Sequence, residues 1–428
     1  MKFFPCSVWM LIAAFGLSIR LPAQTTASVK AFTGARVIDG TASAPIDNAT
    51  LLVSNGRVVA VGPAAQVTIP ASATRTSLAG KTVIPGLINA HGHVGDTVGL
   101  TAERYSANQV MKDLRTYAAY GVTSVISLGG DQAPSFAARA SQRTADLDRT
   151  RIWVAGPVLE PKSPADARKL VAGDAALKVD IVKIRVDDNL GTTEKMPPEI
   201  YRAVIDEAHQ RRLRVAAHVF YLADAKSLLD AGADFIAHSI RDADVDAPLI
   251  AALKRRDVCV APTLMREVST FVYESAPPFF SDPLFLKYVD PATVAALKEP
   301  ARQQEMRNSP SAQRYKAALE VASRNLKKLA DAGVTIAMGT DTGPPARFQG
   351  YFELMELELM ARAGLTPRQV LAAATRDAAR CMKIDSEVGT LQTGKWADFV
   401  ALDADPLADI SNTKKISDVY VAGNKVAR

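Results

Sequence analysis

The spacing of apolar and polar positions changes three times along the chain. Residues 28–80 are short apolar runs broken by turn residues, and in "TLLVSNGRVVAVG" two such runs meet at Asn55-Gly56, which predicts a β-hairpin. From Val83 to Met382, strand-like runs alternate with amphipathic helical spacing. The runs are "VIPGLINAH", "TSVISL", "RIWVAGPV", "DIVKIRV", "LRVAAHV", "DFIAHS", "VCVAPT" and "VTIAMGTD". Eight runs separated by helices predict an α/β fold, a closed (β/α)8 TIM barrel over residues 83–382. "LTPRQVLAAATRDAARCM" predicts one late helix, with Thr366 as cap, Pro367 in the first turn and Gln369 completing a capping box.

After that helix, "VGTLQTGKWADFVALDADPL" and "ISDVYVAGNKV" return to short strands. The flanking segments, residues 25–82 and 383–428, are each too short for a core of their own. They are expected to combine into one small β-sandwich domain beside the barrel. The stretch 263–333 holds the aromatic and proline-rich "TFVYESAPPFFSDPLFLKYVDP" and then helical spacing that ends at Gly333. A lid or wall over the barrel mouth and a packed helical insertion both fit this pattern.

Composition narrows the class. Hydrophobic residues at 48% and charged residues at 22% are those of a globular enzyme, and the net charge of +6 is modest for 428 residues. Lys and Arg are dispersed among Asp and Glu, which argues against nucleic-acid binding. Residues 1–24, "MKFFPCSVWMLIAAFGLSIRLPAQ", have a basic start and a short apolar run, and read as a cleaved signal peptide. A periplasmic or secreted protein with no membrane segment in its mature form is expected. Cys6 would leave with the signal. Cys259 and Cys381 form no disulfide framework and are expected to be free thiols.

The chemistry sits at strand ends. Residues two apart share one side of a strand, so His91 and His93 project together at the end of the first run. Two of the five histidines are therefore paired, a metal-chelating arrangement where barrel active sites lie. His218 and His238 end two further runs at the same edge, and Asp341 ends "TIAMGTD". His209, inside a polar helix, reads as an ordinary surface residue. Lys183 is the odd one out, mid-strand in "DIVKIRV", where an unpaired ammonium is costly. Either it has a buried carboxylate partner, or its lowered pKa lets it take up CO2 as a carbamate.

Taken together, "VIPGLINAHGH" after a β segment, the later Lys, His, His and Asp, and the closing "GTLQTGKWADFVALDADPL" resemble the amidohydrolase superfamily over nearly the whole mature chain. The stretch "DIVKI … AAHVFYLADAKSLLDAGADFIAHS" is most similar to its imidazolonepropionase-like and zinc prolidase or carboxypeptidase-like branch. The resemblance implies two divalent ions, zinc by expectation. His91, His93, Lys183 and Asp341 would hold one; a carbamate on Lys183, with His218 and His238, would hold the other. It further implies hydrolysis of an amide-like C–N bond by a metal-bridging hydroxide, with Asp341 as general acid and base. Single-metal deaminases of the superfamily carry His-x-x-Glu on the fifth strand. Here Val219, Phe220 and Tyr221 follow His218, which disfavours deamination.

Arg185, two residues after Lys183, and Arg241, close behind His238, could clamp a substrate carboxylate as arginine forks do. Structural pairing with Asp187 or Asp188, and with Asp242 or Asp244, is the competing reading. Tyr221 is a candidate for orienting the carbonyl. The expected partner is a small molecule, an N-acyl amino acid or dipeptide with a free carboxylate, and amides of the ochratoxin type fit the same outline. A cyclic amide, lactone or other ester on the same metals is the alternative, and a homo-oligomer is the expected assembly. A non-catalytic scaffold should have lost ligands, whereas all six positions are present.

Overall fold

Asn55 and Gly56 both take positive φ, 51° and 74°, and between them the strands Ile46–Ser54 and Arg57–Pro63 pair antiparallel as the predicted hairpin. The computed structural model describes residues 1–2 and 29–428, so all but the first two residues of the expected signal peptide lie outside the described residues.

The hairpin belongs to one eight-stranded sheet that collects strands from both flanking segments. Thr82–Pro85 joins them, parallel to Val29–Val37 on one edge and antiparallel to Phe399–Leu402 on the other. The pairing joins both halves of the expected β domain in one ladder, because this strand bonds to both at once. Phe32, Phe399 and Tyr420 pack its core, with Phe399 and Tyr420 stacked at 4.5 Å. The run read as one strand, residues 83–91, divides at Gly86. A Cβ there would lie 2.0 Å from Thr123 Oγ1, so only glycine allows this approach.

Beyond Gly86 the α/β part begins. Leu87–Gly92, Val122–Ser127 and Arg151–Val154 form a parallel three-stranded sheet. Val158–Leu159, Val182–Arg185, Val215–His218, Phe235–Ala237 and Cys259–Ala261 form a parallel five-stranded one. The eighth run makes only isolated parallel bridges, Val260 with Ile336 and Gly92 with Thr342, and so touches both sheets. The expected closed barrel is thus not one continuous ladder among the described residues. Its third run breaks between Val154 and Val158, where Gly156 turns at φ 73°. There the Asp131 carboxylate accepts from the amides of Ala155 and Gly156 at 3.0 and 3.2 Å.

Two further expectations are corrected. The late helix has its Thr366–Gln369 capping box, but it splits into Pro367–Ala373 and Arg376–Met382. The carbonyls of Ala373 and Ala374 leave the helical ladder to accept from the strand amides of Met338 and Ile88, both at 2.8 Å. Cys259 and Cys381 are joined in a disulfide across 122 residues of chain. The Cys259 strand packs against the helix that carries Cys381, an approach that sequence spacing does not reveal.

The stretch 263–333 is a packed helical insertion that includes Leu264–Ser269 and the long helix Pro310–Asp331. Tyr273, Phe279, Phe280 and Phe285 in it are buried in the core. Among the described residues, no helix is long and apolar enough to cross a membrane.

Candidate metal centre

His91 closes a strand buried along its whole length, and a polar network fixes its backbone. Asn89 Oδ1 accepts from the His91 amide at 2.9 Å, while Asn89 Nδ2 donates to Glu353 Oε1 at 2.7 Å. The same Glu353 oxygen accepts from the hydroxyls of Thr340 and Thr342, both at 2.6 Å. One buried carboxylate therefore ties the first strand to the eighth run. Asp341 lies between those threonines with φ 60°, and His238 has φ 74°. Side chains in the left-handed region cost of order 1 kcal/mol or more, and such residues gather at functional sites.

The ligand candidates converge. His93 Nε2 is 2.9 Å and His91 Nε2 3.4 Å from Asp341 Oδ1. Lys183 Nζ lies 3.3 Å from His91 Nε2, and His238 Nε2 lies 2.9 Å from His218 Nδ1. Burial, assisted by nearby Lys183, pushes His91 well below the usual imidazole value. Burial and the neighbouring histidines do the same for His238, and burial takes His218 down to about 3. These rings are neutral, as metal ligands must be. Burial also pulls the Lys183 ammonium down to about 8. Burial would raise Asp341, but Arg347, His93 and His91 outweigh it and hold that carboxyl well below its usual range.

The hydrogen bonds test whether a cation fits. The carbonyl of Gly129 accepts from His93 Nδ1 at 3.0 Å, which leaves the His93 Nε2 lone pair facing the Asp341 oxygen. Two acceptors at 2.9 Å need a cation or a proton between them. His218 Nε2 lies 2.9 Å from Asp187 Oδ2, close but poorly aligned, which assigns its Nδ1 lone pair to the side of His238. Thr263 Oγ1 meets His238 Nδ1 at 2.7 Å. The residues fit divalent metal, and His91, His93 and Asp341 alone make one compact ligand set.

Residues 82–426 match the amidohydrolase family. The chain belongs to that family. Its members are hydrolases, and this chain is a hydrolytic enzyme acting on carbon–nitrogen bonds. It is 24% identical to the ochratoxinase of Aspergillus niger over 438 aligned residues, covering 89% of this chain and 83% of that one. It is 33% identical over 103 residues to an imidazolonepropionase of Deinococcus deserti, covering 23% of this chain and 26% of that one. Among solved structures, a putative prolidase from Bifidobacterium longum superposes with TM-score 0.75 at 27% identity, over 94% of this chain and 95% of that one.

In this amidohydrolase, a cavity of about 340 Å3 opens onto the ligand set. His91, His93, Lys183, His218 and Asp341 line it, together with Arg185, Arg266 and Arg347. Arg347 Nη1 donates to Asp341 Oδ2 at 2.5 Å, so the two carboxylate oxygens face different partners. Arg185 reaches the cavity but also pairs with Asp187 at 3.2 Å. Tyr221 is outside the lining and donates to Asp188 Oδ1 at 2.8 Å. Arg241 is outside it too, fully buried and 2.9 Å from Glu267. His209 is on the surface beside Asp234.

Sequence reading missed Arg266 and Arg347. Both arrive on chain that follows a strand end, Arg266 in the helix Leu264–Ser269 and Arg347 in the turn after Asp341. Arg347 stands in "DTGPPARF", whose glycine and prolines signal a turn.

Proposed function

We propose that this amidohydrolase is a binuclear-metal enzyme that hydrolyses the amide bond of an N-acyl amino acid or dipeptide with a free carboxylate. The observation that carries this reading is one cavity lined by five ligand candidates and three arginines, with the sixth candidate, His238, 2.9 Å from His218. His91, His93, Asp341 and a carbamate formed on Lys183 would hold one ion, and the carbamate with His218 and His238 the second. When bound, such ions supply a nucleophilic water at neutral pH and polarise the scissile carbonyl. Lys183 is suited to carbamate formation because burial favours its neutral, nucleophilic amine.

Asp341 takes a proton from the attacking water and returns it to the leaving amine. Arg347 holds its carboxylate in place for both transfers. The cationic lining draws the substrate carboxylate in. The ochratoxinase and prolidase names among the similar proteins favour amides that leave an amino acid.

We assign the eight runs to a closed barrel completed through the bridges at Ile336 and Thr342. The Cys259–Cys381 disulfide supports export to an oxidising compartment. Zinc-loaded protein tested on a panel of N-acyl amino acids and dipeptides should release free amino acid, and chelation should stop the release. No turnover on the panel, alongside clear turnover of neutral lactones, would overturn this reading.

A further inference from the structure

Two buried guanidinium groups share one carboxylate in the wall of the cavity. Glu267 Oε1 is 2.9 Å from Arg241 Nε and 3.2 Å from Arg266 Nη1. Relative side-chain exposures are 0% for Arg241, 7% for Arg266 and 1% for Glu267, so water does little to screen the imbalance. The trio carries one uncompensated positive charge.

The two arginines are not equivalent. Arg241 donates through Nη1 to the carbonyls of Val219 and Ser239 at 2.8 and 2.6 Å, and it lies over the Phe220 ring. It is sealed behind the wall. Arg266 lines the cavity that holds the ligand set, and its buried Nε has no hydrogen-bond partner. The other two arginines of the lining each pair with a carboxylate that no other arginine shares, Arg185 with Asp187 and Arg347 with Asp341. Arg266 shares its one with Arg241.

The orientation of Arg266 is fixed from both sides. Glu356 accepts from the amides of Leu264 and Met265 at 2.9 and 2.6 Å and anchors the helix that carries Arg266. Tyr315, from the long insertion helix, accepts from Arg266 Nη2 at 3.2 Å and lies 4.4 Å beneath its guanidinium. A planar fork held this way loses little entropy on binding, and a carboxylate is the anion that matches it with two parallel hydrogen bonds. A buried charge without a full partner is costly, so a ligand anion that completes it binds with corresponding preference.

We propose that Arg266, held by Tyr315 and Glu267, is the specificity-determining residue that anchors the substrate carboxylate beside the metal ligands. The proposal rests on the amide-hydrolysis reading above and names the part of the site that selects an acid.

The test compares N-acetyl-L-phenylalanine with its carboxamide on the zinc-loaded enzyme and on Arg266→Met. The expected result is a loss of roughly 30-fold or more in kcat/KM on the free acid, with a far smaller loss on the carboxamide. Equal losses on both would overturn the proposal. If the wild type turns over neither compound, calorimetric binding of the same pair decides it. Wild type should prefer the acid by at least about tenfold, and Arg266→Met should lose that preference. Equal binding of acid and carboxamide by wild type would overturn the anchor, whereas failed turnover alone bears on the hydrolysis reading. Should the methionine variant not fold, Arg266→Lys retains the charge without the fork. An acid preference undiminished in that variant would also overturn the proposal.

Discussion

His238 Nε2 lies 2.9 Å from His218 Nδ1, and burial keeps both rings neutral. Asp187, an acceptor only, faces the far nitrogen of His218, so the inner nitrogen offers a lone pair. The pair is poised to be bridged by a cation. His238→Ala, or His91→Ala, should abolish hydrolysis and lower bound metal, since each removes a ligand from a site with few substitutes. Elemental analysis of the purified variants checks this directly. Full metal content and full activity in either variant would remove that histidine from the centre.

Lys183→Ala should lose activity by at least about 10–100-fold, the range for removing a group that orders a metal site. Short carboxylates such as acetate should restore part of it by standing in for the carbamate. In the wild type, 13C-labelled bicarbonate should give a carbamate carbon resonance that Lys183→Ala lacks. A zinc-loaded enzyme without that resonance would contradict the carbamate.

Arg241→Met should act on selection through charge. The variant leaves Glu267 to Arg266 alone, so the cluster loses its uncompensated positive charge. The ratio of kcat/KM on free acid to carboxamide should therefore fall below that of wild type, although Arg266 itself is unchanged. An unchanged ratio would show that the charge shared through Glu267 does not set the preference.

Asp174 gives a pH signature remote from the metal ligands. Burial pushes its carboxyl up from 3.8 to about 7, and Oδ2 has no hydrogen-bond partner. A raised carboxyl holds its proton in the fold after the unfolded chain has lost it. Its contribution is therefore complete below about pH 4 and fades as pH rises towards 7. Asp174→Asn should raise stability at pH 8 by up to about 4 kcal/mol and have little effect at pH 4. Denaturant titrations at the two pH values check the sign, and an equal effect at both would refute it.

The ligand positions were legible because each lies in or just after an apolar run, where period-two alternation predicts direction. Lys183 and Arg185 share a strand and both reach the cavity. Arg241 failed this logic for a local reason. The chain takes φ 74° at His238, just past Phe235–Ala237, and alternation ends there. Arg241 is consequently turned behind the wall to Glu267. Arg266 and Arg347 were illegible because they lie beyond strand ends, where no short-range periodicity gives direction. The late helix was misjudged at Thr375 because Ala373 and Ala374 lend their carbonyls to distant strand amides. Tertiary hydrogen bonds overrode a strong local pattern there.

The Cys259–Cys381 bridge fastens the strand that leads to Thr263, and so to His238, onto the helix Arg376–Met382. Closing 122 residues of chain in this way is worth about 5 kcal/mol in the unfolded-state entropy model. Both sulfur-bearing residues are buried, at 5% and 1% exposure, so a reductant reaches them only when the wall opens. The time course of reduction is therefore a clock for that opening, readable without substrate or metal. Protein made in a reducing cytosol and protein made in an oxidising compartment would share a sequence and still differ in heat resistance.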